Sequence, residues 1–180
     1  MFFLKFHPRH KALLGWFLAI ALALTFFVNL GQQRLGRMTS DSSSYLRLAV
    51  NYEVTGGVEF DAWREYGYQG VVLAFSRSVP WRSIDDLAWW VTAIQVAGYV
   101  GVSATLWGLA LMAGGPWSAA VVALAFAIDR YNGRWMANVM SEAPSKLLAL
   151  TGLCLMVWAA LRHRRGAGVV GALLLGCRSE

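Results

Sequence analysis

The chain has 180 residues, a mean hydropathy of +0.47, 57% hydrophobic residues and 14% charged ones. Soluble domains carry about 25% charged residues, so this composition leaves too little polar surface for an ordinary water-soluble globule. The net charge of +6 does not indicate nucleic acid: Lys and Arg flank apolar runs instead of gathering on one polar face or tail.

Residues 1–11 carry Lys5, Arg9 and Lys11 and lead into an uncharged run at 12–30. At about 1.5 Å per residue this run matches a hydrocarbon core of about 30 Å. No small-x-small cleavage site follows it, so it reads as a retained signal-anchor helix, span 1. Residues 31–86 form a long polar stretch with thirteen of the twenty-six charged side chains, interleaved with Tyr, Trp and Gly. The expectation is a folded loop with short helices near 41–53 and 61–68, and an apolar patch at 70–75 that dips into the membrane interface.

Span 2 is 87–111, with Trp89 and Trp90 as an aromatic anchor at its entry. Residues 112–116 form a tight turn, since Gly114-Gly115-Pro116 breaks any helix. Span 3, 117–128, is short for a crossing; tilt, packing within protein, or extension through Tyr131 would each account for that. Residues 129–144 make a second polar loop. Span 4 is 145–161, with Pro144 suited to its first turn. Arg162, His163, Arg164 and Arg165 close it, and 166–177 begins an incomplete fifth apolar run. Cys154 and Cys177 both lie in apolar runs and read as small packing residues.

These pieces predict an all-α, polytopic transmembrane helical bundle of about four spans plus the incomplete fifth, the N-terminal part of a longer protein. Positive charge concentrates before span 1 and after span 4. Both flanks are therefore expected in the cytoplasm, with 31–86 and 129–144 together on the outer face.

Two acidic positions stand out. Asp41 precedes a periodic stretch in which Tyr45, Leu48, Ala49 and Tyr52 share a helical face, and an N-cap role accounts for it. Glu142 opens span 4, where the helix dipole favours an anion and Ser141 or Asn138 could cap. Both are expected on the outer face at similar depth. Paired there, they could hold a divalent cation, with Asp41 as its candidate ligand, or take a proton from an acceptor hydroxyl. Arg34, Arg37, Arg64, Arg130 and Arg134 of the outer loops have the planar fork that suits phosphate; solvation or snorkelling is the plainer role for any one of them.

In order, these features resemble the N-terminal region of the GT-C glycosyltransferases, and more narrowly the dolichyl-phosphate-mannose protein mannosyltransferase and aminoarabinose-transferase-like group. The family's Asp-x-x-x-Tyr-x-x-x-Ala motif after a first membrane helix is similar to Asp41, Tyr45 and Ala49. Its Gly-Tyr-x-Gly passage running to a Pro is similar to Gly67-Tyr68-Gln69-Gly70 and Pro80, and its Ser/Thr-Glu pair to Ser141-Glu142. The passage from Gly171 and Gly176 to Arg178 resembles a shortened form of a further family motif. Many members have a second acid directly after the motif Asp, where this chain has Ser42.

The resemblance implies sugar transfer from a polyprenyl-phosphate donor to a lipid or protein acceptor, with inversion at the anomeric carbon. It implies that Asp41 is the base or a metal ligand, and Glu142 matches a recurrent acidic position of the family, the second candidate catalytic residue. Tyr45, Arg34, Arg64 and Arg130 are then expected to contact substrate, in a bacterial inner (plasma) membrane with the N-terminus cytoplasmic. The alternatives are a non-catalytic membrane scaffold or assembly subunit, and a transporter fragment.

Overall fold

A computed structural model describes residues 8–39, 41–58, 66–128 and 136–162. These are all-helical, in five helices: α1 (Pro8–Gly31), α2 (Ser42–Thr55), α3 (Tyr66–Ser76), α4 (Ile84–Ile128) and α5 (Glu142–Arg162). Three of them, α1 from Lys11 onward, α4 and α5, are long and apolar enough to cross a membrane. Their outward faces carry exposed large apolar side chains such as Phe17, Leu24, Val121 and Leu148. That surface needs lipid as its solvent, which marks a membrane protein. The apolar run at 166–177 lies outside the described residues.

The helix α4 is folded back on itself. Gly115 has φ 72° and ψ −162°, a conformation that costs Gly little and any other residue a great deal. Pro116 follows at the start of the second leg, where its missing N–H is not needed. Residues equally far from this turn then meet again. Trp107 and Leu111 cluster with Ala119 and Ala120, and Val102 and Leu106 with Val122 and Phe126. Further along, the Tyr99 and Phe126 rings lie 5.8 Å apart.

Along this hairpin α1 runs parallel to the second leg. A Cβ at Gly15 would sit 3.1 Å from Pro116 Cβ. Ala19 packs on Ala119 and Ala120, and Asn29 Nδ2 donates to the Ala127 carbonyl at 3.4 Å. Small residues at these contacts let the backbones approach, as helices do where lipid replaces water. On the other side α5 follows the first leg. Leu147 lies against Gly98, Cys154 Sγ is 3.8 Å from the Val102 carbonyl, and Leu161 joins the cluster around Leu109.

This arrangement gathers the end of α1, both ends of α4 and the start of α5 at one end of the bundle, where α2 and α3 also sit. Helix α2 stops at Gly56, whose φ of 68° turns its N–H back onto the Tyr52 carbonyl. The face bearing Tyr45, Leu48 and Ala49 is buried, as is Leu46 beside it. Tyr45, Leu46 and Ala49 pack with Tyr68, Val72, Leu87, Val91 and Val139 in one cluster.

The second loop helix is described from Tyr66 to Ser76, so the apolar patch at 70–75 is helical. Tyr68, Val72 and Ser76, four residues apart, form its buried face. Tyr68 and Val72 of this face pack against Tyr45, Leu46 and Ala49 of α2. Residues 61–65 lie outside the described residues.

Candidate functional site

Where the helices converge, a set of buried polar contacts ties the start of α2 to residues 136–141. Ser42 Oγ donates to the Val139 carbonyl at 3.0 Å and accepts the Thr39 N–H at 2.8 Å. Tyr45 OH and Ser141 Oγ are 3.1 Å apart, across 96 residues of sequence. Arg37 and Asn138 form an isolated parallel backbone bridge. The Gly36 N–H donates to Thr92 Oγ1 at 2.7 Å, fixing the chain after α1 onto α4.

Tyr68 and Gln95 lie beneath this junction. The Gln95 amide is placed with its oxygen accepting the Tyr68 hydroxyl proton at 2.7 Å. Its nitrogen donates to the carbonyls of Asn138 at 3.0 Å and Met136 at 3.1 Å. The opposite orientation would set the amide oxygen against two carbonyls, so the network decides the assignment. The Tyr45 and Tyr68 rings meet edge to face at 4.9 Å. Burial pushes the Tyr68 hydroxyl far above the ordinary tyrosine range, and the nearby Tyr45 and Glu142 act in the same direction. Tyr68 is therefore a neutral hydrogen-bonding group at physiological pH, and unsuited to act as a base.

These contacts bring Asp41 and Glu142 to the same end of the bundle. Each directly neighbours a bonded residue: Asp41 precedes Ser42, and Glu142 follows Ser141. Asp41 holds the N-cap position of α2, but its backbone is αR (φ −86°, ψ −24°) and its side chain makes no capping hydrogen bond. Asp41 is half-buried. Glu142 is exposed in the first turn of α5. The Ser141 hydroxyl contacts Tyr45.

The basic residues divide. Arg34 and Arg37 are exposed in the connection between α1 and α2, and the bridge to Asn138 places Arg37 beside the acidic pair's neighbours. Arg64, Arg130 and Arg134 lie outside the described residues. Among the described residues no three His, Cys, Asp or Glu side chains gather as a metal site. Two carboxylates are a thin donor set for a divalent cation, which takes six or more oxygens as calcium or about six as magnesium.

Sequence reading missed Gln95 and the buried side of Asn138. An amide in an otherwise apolar span was the available signal, since intramembrane polar groups need partners. Asn138 Oδ1 is buried without a hydrogen-bond partner among the described residues. No protein-family model, characterised protein or solved structure matches this chain.

Proposed function

We propose that this chain is a membrane glycosyltransferase of the GT-C type, or part of one, that transfers a sugar from a polyprenyl-phosphate donor to a lipid or protein acceptor. The observation that carries this reading is the Tyr45–Ser141 contact, which brings the Asp41 motif and the Ser141-Glu142 motif together across 96 residues.

In this proposal the bundle crosses the bilayer four times, both legs of α4 included, with the N-terminus cytoplasmic and the Asp41 end outside. Asp41 accepts the proton of the acceptor hydroxyl as its oxygen forms a bond to the anomeric carbon. The bond from that carbon to the phosphate oxygen breaks, and polyprenyl phosphate leaves with the electron pair. Attack opposite the leaving group inverts the anomeric carbon. Arg34 and Arg37 stabilise the departing phosphate, and Glu142 orients the acceptor. The apolar cleft of about 320 Å³ between α1 and the two legs, walled by Phe26, Phe27, Trp107 and Phe126, has the lining a polyprenyl chain requires.

The test is transfer of radiolabelled sugar from a polyprenyl-phosphate donor by the full-length protein in its own membranes. Turnover should disappear in Asp41→Asn at unchanged protein level; wild-type turnover in that variant would end the assignment. The scaffold reading draws on a different observation: Ser42, Tyr45, Gln95 and Ser141 are all engaged in holding segments together. It gains if a stoichiometric membrane partner is recovered and no sugar-lipid binds.

A further inference from the structure

A second cavity lies at the same end of the bundle, where α4 begins. It measures about 220 Å³ and is lined by Pro80, Trp81, Arg82, Asp86, Trp89 and Trp90. Two of its three indoles spend their N–H groups on the backbone: Trp90 Nε1 donates to the Pro80 carbonyl at 2.9 Å, and Trp81 Nε1 to the Ser76 carbonyl at 3.0 Å. These bonds fix the rings and leave their π faces as the wall. The Trp89 and Trp90 rings stand at 84° to each other with centroids 5.1 Å apart, forming a corner. Asp86 is held equally firmly. Its Oδ2 accepts the N–H groups of Arg82 and Ser83, both at 3.1 Å, and Ser83 Oγ accepts the Asp86 N–H at 3.1 Å.

Arg82 and Asp86 border this one cavity, yet among the described residues they form no ion pair with each other. A pocket with one fixed carboxylate, aromatic faces and one guanidinium matches a ligand with a cation at one end and an anion at the other. Aromatic faces and a carboxylate attract an ammonium group, and a guanidinium attracts phosphate. A sugar fits less well, because a polyol needs many hydrogen-bond partners and two of the indole donors are already engaged. The location selects the source. The cavity opens where an apolar helix starts, beside paired Trp residues of the kind that sit at headgroup depth.

We propose that this pocket binds the headgroup of a zwitterionic phospholipid of the surrounding bilayer, with its ammonium against Trp89, Trp90 and Asp86 and its phosphate on Arg82. The proposal does not rest on the glycosyltransferase reading, since it uses none of the residues given a role there.

The test is native mass spectrometry of the full chain released from nanodiscs of equal parts phosphatidylethanolamine and phosphatidylglycerol. Wild type should retain the zwitterionic lipid about five-fold or more over the anionic one. That ratio should fall to near one in Asp86→Asn, which keeps an oxygen to cap the helix, and in Trp89→Ala. Thermal unfolding in the same nanodiscs checks the fold, and Trp89→Phe replaces Trp89→Ala if the latter is unstable, with a partial loss expected. A wild-type ratio near one, or a ratio unchanged by either substitution in folded protein, overturns the proposal.

Discussion

The two ends of this bundle are built by different physics. At the Gly115 end, helices touch through Gly15, Ala19, Ala119 and Ala120, and contact depends on how closely backbones approach. At the Asp41 end, helices are joined by hydrogen bonds between residues far apart in sequence: Ser42 to Val139, Tyr45 to Ser141, and Gln95 to Tyr68, Met136 and Asn138. Lipid offers no hydrophobic drive for helix association, so close packing must hold the spans. Buried polar links are specific but costly when broken, because each orphaned group keeps its desolvation penalty. The polar end therefore fixes which side chains meet, and the small-residue end fixes how the spans lie.

The largest expected effect tests whether the polar end does chemistry. Asp41→Asn should lower sugar transfer by about 10²- to 10⁴-fold, the usual contribution of a positioned base, and thermal unfolding of the same variant separates that loss from a loss of fold. A stability loss without an activity loss would reverse that reading and return Asp41 to a structural role. Next in size is Gln95→Leu, which strips the donor from two buried carbonyls and the acceptor from Tyr68. At about 1–3 kcal/mol per orphaned group, detergent-solubilised protein should lose several kcal/mol of unfolding stability.

At the other end, Ala119→Leu should cost about 1–3 kcal/mol through overpacking, because Ala119 is fully buried against Ala19. Unlike Gln95→Leu, it should leave the spectroscopic environment of Tyr45 and Tyr68 unchanged. Equal disturbance of both ends by either substitution would mean that the bundle unfolds as one unit with no division of labour.

The apolar end was the more legible in the sequence. Uncharged runs and Gly114-Gly115-Pro116 are local signals, and they announce long membrane helices and a sharp reversal without any knowledge of partners. The face of α2 carrying Tyr45, Leu48 and Ala49 was legible for the same reason, from spacing alone. The polar end was not. The polar composition of 31–86 does not show that 70–75 is helix, nor that Tyr68 and Val72 pack against α2. Gln95 looks like one amide in an apolar run until the fold sets Tyr68, Met136 and Asn138 around it. Asp41 reads as a helix cap by every local rule, and only the backbone conformation shows that its side chain does not serve that purpose.

Removing one hydroxyl sharpens the comparison with a smaller effect. Tyr45→Phe deletes the link to Ser141 but keeps the ring against Tyr68, so the expected loss is about 0.5–1.5 kcal/mol. If the link also aligns Asp41 with Glu142, turnover should fall by more than that stability change explains, and Tyr45→Phe/Ser141→Ala should be no worse than either single variant.

The smallest effect is invisible at neutral pH and appears only on alkaline titration. Tyr68 ionises from an ordinary value of 10.0 when unfolded, and burial raises it in the folded protein. Between those two values the unfolded chain has released the proton and the folded one has not, so unfolding releases a proton and stability falls as pH rises. Below pH 10 this contribution is constant. The decline should therefore begin near pH 10, be absent in Tyr68→Phe, and leave Tyr68 missing from the phenolate absorbance until the polar end opens. A Tyr68 that titrates with the exposed tyrosines would mean that water reaches Gln95, and that the polar end is looser than the apolar one.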